Sequence, residues 1–142
     1  MRLYFAGPLF SAAERDWNEQ LAAGLRNGGH EVFLPQDKEA GLDSARIFST
    51  DVGGIDRADV LVAIVDGPDP DAGTAWEVGY AYGKKPIILV RTDIRTEAGS
   101  SGPYNPMLTE AATFRLDLPI APMARIVAEI LDAVRRVEEG SR

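Results

Sequence analysis

The chain has no cysteine. That excludes a disulfide framework, a thiol nucleophile and a thiolate metal site. It has a single histidine, His30, set between a predicted helix and a predicted strand, where a solvated turn residue is expected. A histidine-based triad and a histidine-rich metal site have no support. No apolar run approaches the roughly 20 residues a membrane span needs, so no membrane partner is expected. The glycine fingerprint of dinucleotide sites is missing, because Gly7 is not followed by further glycines at the needed spacing, and the P-loop pattern is missing too. Cations are outnumbered, with 15 Lys and Arg against 22 Asp and Glu and a net charge of −7. An acidic chain repels phosphate backbones, which argues against a nucleic-acid polymer and leaves a small uncharged nucleoside open.

What is present points to an ordinary folded domain. The length of 142 residues suits one domain with one core, spanning 1–142. Hydrophobic residues make up 45% and charged residues 26%, a balance that favours packing over disorder. The first strand signal, residues 3–6, begins almost at Met1 and leaves little room for a targeting segment there. A soluble cytoplasmic protein is the expectation.

Apolar runs alternate with longer amphipathic stretches. Residues 3–6 read as a first strand. Ser11 and Glu14 form a capping box that opens a helix carrying Trp17, Leu21 and Leu25, stopped at Gly28-Gly29. Residues 31–34 read as a second strand ended by Pro35. Ser44 is the expected cap of a second helix with Ile47, Phe48, Val52 and Ile55 on one face. Residues 60–65 form a buried third strand. A helix over about 73–82 follows, then a fourth strand at 86–90. Residues 93–104 read as a loop rich in Gly and Ser. Asn105-Pro106 reads as an N-cap followed by Pro at the first helical position. Residues 114–116 read as a fifth, edge strand, and the last helix spans about 120–138. This alternation predicts an α/β fold: a doubly wound, flavodoxin-like parallel sheet of about five strands, with ligands bound beyond the carboxyl ends of the strands.

Two acids stand where the pattern asks for apolar residues, and both fall on that carboxyl side. Glu77 shares a helix face with Thr74, Val78 and Ala81, near the helix start where the dipole favours a negative charge. It reads as a nucleophile beside a crevice or as an ordinary surface glutamate. Asp51 interrupts the stripe of Ile47, Phe48 and Ile55. It reads as a half-buried acid or as the cap of a turn at Gly53-Gly54. Asp71 precedes the Glu77 helix, where capping is its plainer role. Tyr4 leaves the first strand near its carboxyl end, either as a core residue or as a phenol that orients a carboxylate. Asp66, Asp69 and Asp71 resemble a cation cluster, but the intervening prolines read better as a loop, and no metal or cofactor is expected.

Taken together, Tyr4-Phe5-Ala6-Gly7-Pro8-Leu9-Phe10, Asp51 with Ile55-Asp56-Arg57-Ala58-Asp59, and the segment from Asp71 to Ala81 resemble the nucleoside 2′-deoxyribosyltransferase family. The resemblance runs from the first strand to Asn105-Pro106-Met107. It implies an enzyme that exchanges the base of 2′-deoxynucleosides with free nucleobases and needs no cofactor. The residue matching Glu77 would attack the anomeric carbon and form a glycosyl ester. The one matching Asp51 would protonate the departing base, and the one matching Tyr4 would hold the nucleophile. Asp71 would contact the sugar hydroxyls, Gln36 the base, and Gly7 and Phe10 the substrate from the turn after the first strand. Asn105 would serve a neighbouring subunit's site, so a homo-oligomer is implied, dimer-based or hexameric. The tail 138–142 lacks the aromatic end of some members, and the loop 93–104 is unlike theirs. Two alternatives stay open. One is a 2′-deoxynucleoside 5′-monophosphate N-glycosidase, disfavoured by Asp71 and by the absence of arginine in the turn after the first strand. The other is a non-catalytic nucleoside sensor on the same scaffold.

Overall fold

The computed structural model describes residues 1–95 and 105–141. Five strands form one sheet, all parallel: β1 (Arg2–Ala6), β2 (Glu31–Phe33), β3 (Val60–Ile64), β4 (Ile87–Arg91) and β5 (Phe114–Asp117). Their order across the sheet is β2-β1-β3-β4-β5. This is the expected doubly wound, flavodoxin-like arrangement, and its switch point lies between β1 and β3. β3 and β4 are central and buried along their whole length. A strand covered on both faces has no polar side, which is why Val60–Ile64 carries no alternation.

Helices α1 (Ala12–Asn27) and α5 (Met123–Gly140) lie together on one face. Leu21, Leu25, Ile126, Ile130 and Val134 pack there against Leu3, Phe5, Val60, Val62 and Ile88. Helices α2 (Ser44–Arg57), α3 (Ala72–Ala81) and the short α4 (Pro106–Thr109) serve the other face. There Tyr4, Ala6, Leu61, Ala63 and Leu89 meet Ile55, Val78, Ala81 and Leu108. Alternate residues of β1 therefore feed opposite cores, and Tyr4 points to the α2 and α3 side.

Start signals were mostly legible. Ser11 accepts from the Glu14 amide at 3.1 Å, and Glu14 returns the bond to the Ser11 amide at 2.9 Å. Asn105 caps α4, with Pro106 in the first helical position. One cap shifts by a residue: Asp43, not Ser44, accepts from the Arg46 amide and opens α2. A 3-10 turn at Pro35–Asp37 follows β2 and was not foreseen. The last helix starts at Met123, three residues later than the pattern suggested, because Pro122 is its N-cap. Most of the loop at 93–104 lies outside the described residues.

The two faces are not equally forgiving. Gly54 of α2 sits against the Phe33 ring, and a Cβ there would lie 2.9 Å from three of its carbons. Phe33 in turn stacks on Tyr4 with centroids 5.3 Å apart. Gly54→Ala gains helix propensity of up to about 1 kcal/mol but overpacks by about 1–3 kcal/mol. The expected net result is a loss of about 1 kcal/mol, read as a lower urea midpoint at unchanged slope.

Candidate active site

The site is built by the carboxyl ends of β1 and β3 and the two helices that cross them. Gly7 continues β1 into a turn so tight that a Cβ would lie 3.1 Å from the Phe5 ring and 3.4 Å from Ile64 Cβ. Past it, Leu9 and Phe10 form one rim of a cavity of about 550 Å³. Pro35 and Glu39 come from the segment after β2. α2 contributes Ser44, Ile47, Phe48, Asp51, Val52 and Ile55. Asp71, Gly73, Trp76 and Glu77 close the far side. The apolar stripe of α2 is thus partly a cavity wall. Ile55 is buried, whereas Phe48 is 58% exposed at the mouth. Asp51 breaks that stripe because it faces the cavity. The turn it could have capped does not exist, since α2 runs on through Gly53-Gly54 to Arg57.

Glu77 is half-buried on α3, and Thr74, Val78 and Ala81 of the same face are buried against the sheet. The fully buried Tyr4 donates a hydrogen bond from its hydroxyl to Glu77 Oε2. Burial raises the Glu77 carboxyl to about 7. The Tyr4 bond pulls it down, while the charges of Asp51, Asp71 and Glu39 push it up. Tyr4 itself is held well above the ordinary phenol range by burial and by the Glu77 charge, so it remains a donor. Asp51 is also raised to about 7, by burial first and by Glu39 second. Its Oδ1 is buried and receives no hydrogen bond.

Asp71 does the capping its position suggests: Oδ2 accepts from the Thr74 amide at 2.9 Å and the Thr74 hydroxyl at 3.1 Å. It lines the cavity as well. Of the proposed substrate contacts, Asp71, Gly7 and Phe10 reach this cavity, and Gln36 and Asn105 do not. The Gln36 amide is occupied elsewhere: its oxygen accepts from Asn18 at 3.1 Å and its nitrogen donates to the Arg15 carbonyl at 2.9 Å. Asn105 accepts from the Met107 amide at 3.0 Å as the α4 cap. Asp66 binds the chain just past β4, accepting from the Thr92 amide at 2.6 Å and the Asp93 amide at 3.0 Å. Among the described residues, no group of three or more His, Cys, Asp or Glu is placed to hold a metal ion.

Glu39, Phe48 and Trp76 are cavity residues that the sequence pattern does not mark as such. Glu39 lies in irregular chain where no periodicity marks a face. Phe48 was read only as part of an apolar stripe. Trp76, half exposed, stacks on Tyr80 at 5.2 Å and meets Phe48 at 5.4 Å, giving the mouth an aromatic edge. A tryptophan next in sequence to Glu77 is the one available signal.

A half-buried acid held by a phenol, a second acid facing the same cavity and an aromatic mouth meet at the switch point of a parallel sheet, and together they are groups that cleavage of a glycosidic bond can use. Residues 3–117 match the family described as nucleoside 2-deoxyribosyltransferase, and the chain belongs to that family. It is similar to a conserved protein of Enterococcus faecalis V583, with 28% identity, 94% of this chain and 98% of that one covered, and a TM-score of 0.71. It is also similar to the 2-deoxyribosyltransferase of Bacillus psychrosaccharolyticus, at 26% identity, 86% and 98% coverage and a TM-score of 0.69. A CMP N-glycosidase of Clostridium botulinum shares the fold at 20% identity, 92% and 97% coverage and a TM-score of 0.65. No curated protein matches the chain. Solved structures that share this fold thus include a transferase and an N-glycosidase.

The raised acids should leave a mark on stability. The Glu77 carboxyl is lifted above its ordinary value, so the folded state binds its proton more tightly than the unfolded chain. That contribution is complete below about pH 4 and lost as pH rises through about 7. Glu77→Gln, which keeps an acceptor for Tyr4, should therefore stabilise the protein by about 1–3 kcal/mol at pH 8. The gain should vanish near pH 4 when urea unfolding is compared at the two pH values.

Proposed function

We propose that the protein is a nucleoside 2-deoxyribosyltransferase, exchanging the base of 2′-deoxynucleosides through a covalent deoxyribosyl-glutamate with retention of configuration. The observation that carries this reading is Glu77, buried at the cavity wall with one oxygen fixed by Tyr4. Glu77 Oε1 is left for the sugar. It attacks C1′ as the bond to the base nitrogen breaks. The bonding pair goes to the base, and Asp51 supplies the proton that makes it a neutral leaving group. The free base departs and another enters. Its nitrogen attacks C1′, its proton passes to the Asp51 carboxylate, and Glu77 is released. Two inversions give net retention. The site calls on no cofactor or metal for any of these steps.

The lining favours an uncharged substrate. Glu39, Asp51, Asp71 and Glu77 all line the cavity, and no Lys, Arg or His does so among the described residues. Residues 96–104 contain no Lys, Arg or His either. Four carboxyl groups without a cation repel a 5′-phosphate and accept hydroxyl donors. Asp71 Oδ1, not engaged by Thr74, is suited to a sugar hydroxyl. Phe48, Trp76 and Phe10 offer flat apolar surface to a planar base. Asn105 stands off its own chain's cavity, which is compatible with service to a neighbouring copy in a homo-oligomer. Base exchange of this kind belongs to nucleotide salvage in the cytoplasm. No helix among the described residues is long and apolar enough to cross a membrane.

Deoxyinosine with adenine should yield deoxyadenosine and hypoxanthine, whereas a deoxynucleoside 5′-monophosphate in water should be left nearly intact. Glu77→Ala should reduce exchange by about a thousandfold or more while its circular dichroism stays native. Chromatography of the products decides both points. Near-normal exchange by Glu77→Ala ends the nucleophile assignment, and preferential hydrolysis of the monophosphate makes the protein an N-glycosidase.

A further inference from the structure

Glu39 is the one acid of the cavity with no part in the mechanism above. It lies on the segment between the 3-10 turn and α2, half-buried, and shares the cavity with Asp51. Asp51 has a buried oxygen that receives no hydrogen bond, and the Glu39 side chain lines the same cavity, its charge acting on the Asp51 carboxyl. Two ionised carboxylates only accept, so neither can satisfy the other. A single proton held between them removes the conflict: one carboxyl donates, the other accepts, and the pair carries one negative charge instead of two.

We propose that Glu39 is the positioning partner of Asp51, the two carboxyl groups sharing one proton in the free protein so that Asp51 is held ready as an acid. This rests on the reading of Asp51 as the acid that protonates the leaving base. The other ionisable groups around the pair are Tyr4 from β1 and Asp71 and Glu77 from α3. Among the described residues that line the cavity none is a cation, so no charge there favours the doubly ionised form. In the exchange the proton leaves Asp51 for the base nitrogen, Asp51 becomes a carboxylate, and the incoming base returns the proton to it. Glu39 neither gains nor loses a covalent bond. Its charge sets how long Asp51 keeps its proton as pH rises. The same charge is the last in order of those acting on Glu77, so the two limbs of the rate profile respond unequally.

The test is Glu39→Gln, with Glu39→Asp as the conservative control, read by two independent measurements on the whole chain. The first follows the carboxyl carbon of Asp51 by NMR through a pH titration without substrate. The second follows kcat/KM for deoxynucleoside base exchange against pH. Glu39→Gln should move the Asp51 midpoint down by about one unit or more, and the alkaline limb of kcat/KM should follow it. The loss should be about tenfold at pH 8 and slight at pH 6. The acid limb should move much less, and Glu39→Asp should restore most of the wild-type profile. An unchanged Asp51 midpoint in Glu39→Gln overturns the proposal, even in a protein that exchanges bases well. So does an equal loss of rate at every pH, which would mark Glu39 as a packing or binding residue. If the midpoint moves but the wild-type protein exchanges no base, the shared proton stands and the transferase reading falls.

Discussion

The hydrogen bond from Tyr4 to Glu77 is the contact on which the site depends. A carboxylate removed from water is costly, and a half-buried one without a partner would simply take up a proton. Tyr4 offsets part of that cost from a position where it cannot move away. It is fully buried on the second-outermost strand, stacked on Phe33, with its hydroxyl aimed at α3. The bond leaves Glu77 poised near neutrality rather than locked in either state. Reactivity therefore comes from a balance between desolvation and a single donor, and the sheet supplies the rigidity that holds the balance.

The rest of the architecture serves this arrangement. The reversal of strand order between β1 and β3 opens the crevice into which α2 and α3 project their acids. Asp71 both starts α3 and faces the cavity, so helix entry and the cavity wall are tied to one side chain. On the opposite face, α1 and α5 bury a conventional apolar core with no acid in it. The α2 and α3 side has an apolar core of its own but also carries the acids, and there Asp51 and Glu77 reduce stability at neutral and alkaline pH.

Much of this was legible in the sequence because the relevant signals are local. Continuous apolar runs marked β3 and β4, the capping box marked α1, and Asp51 and Glu77 betrayed themselves by breaking an apolar pattern. What was hidden depends on tertiary approach. Nothing in residues 38–43 says that Glu39 bends toward α2, since that stretch has neither helical nor strand periodicity. The family resemblance implies Gln36 as a base contact, and only the structure shows that its amide is engaged with Asn18 and Arg15 of α1. Phe48 looked like core because an amphipathic stripe cannot reveal whether its partner is protein or a cavity.

The central claim is that the oxygen of Glu77 bonds to the anomeric carbon of the sugar. The protein, quenched with acid during turnover of a 2′-deoxynucleoside and digested, can be mapped peptide by peptide in the mass spectrometer. The account predicts an added deoxyribosyl group on the peptide holding Glu77, localised to that residue. A protein caught in active turnover with no sugar attached there, or with the sugar on another side chain, would contradict it.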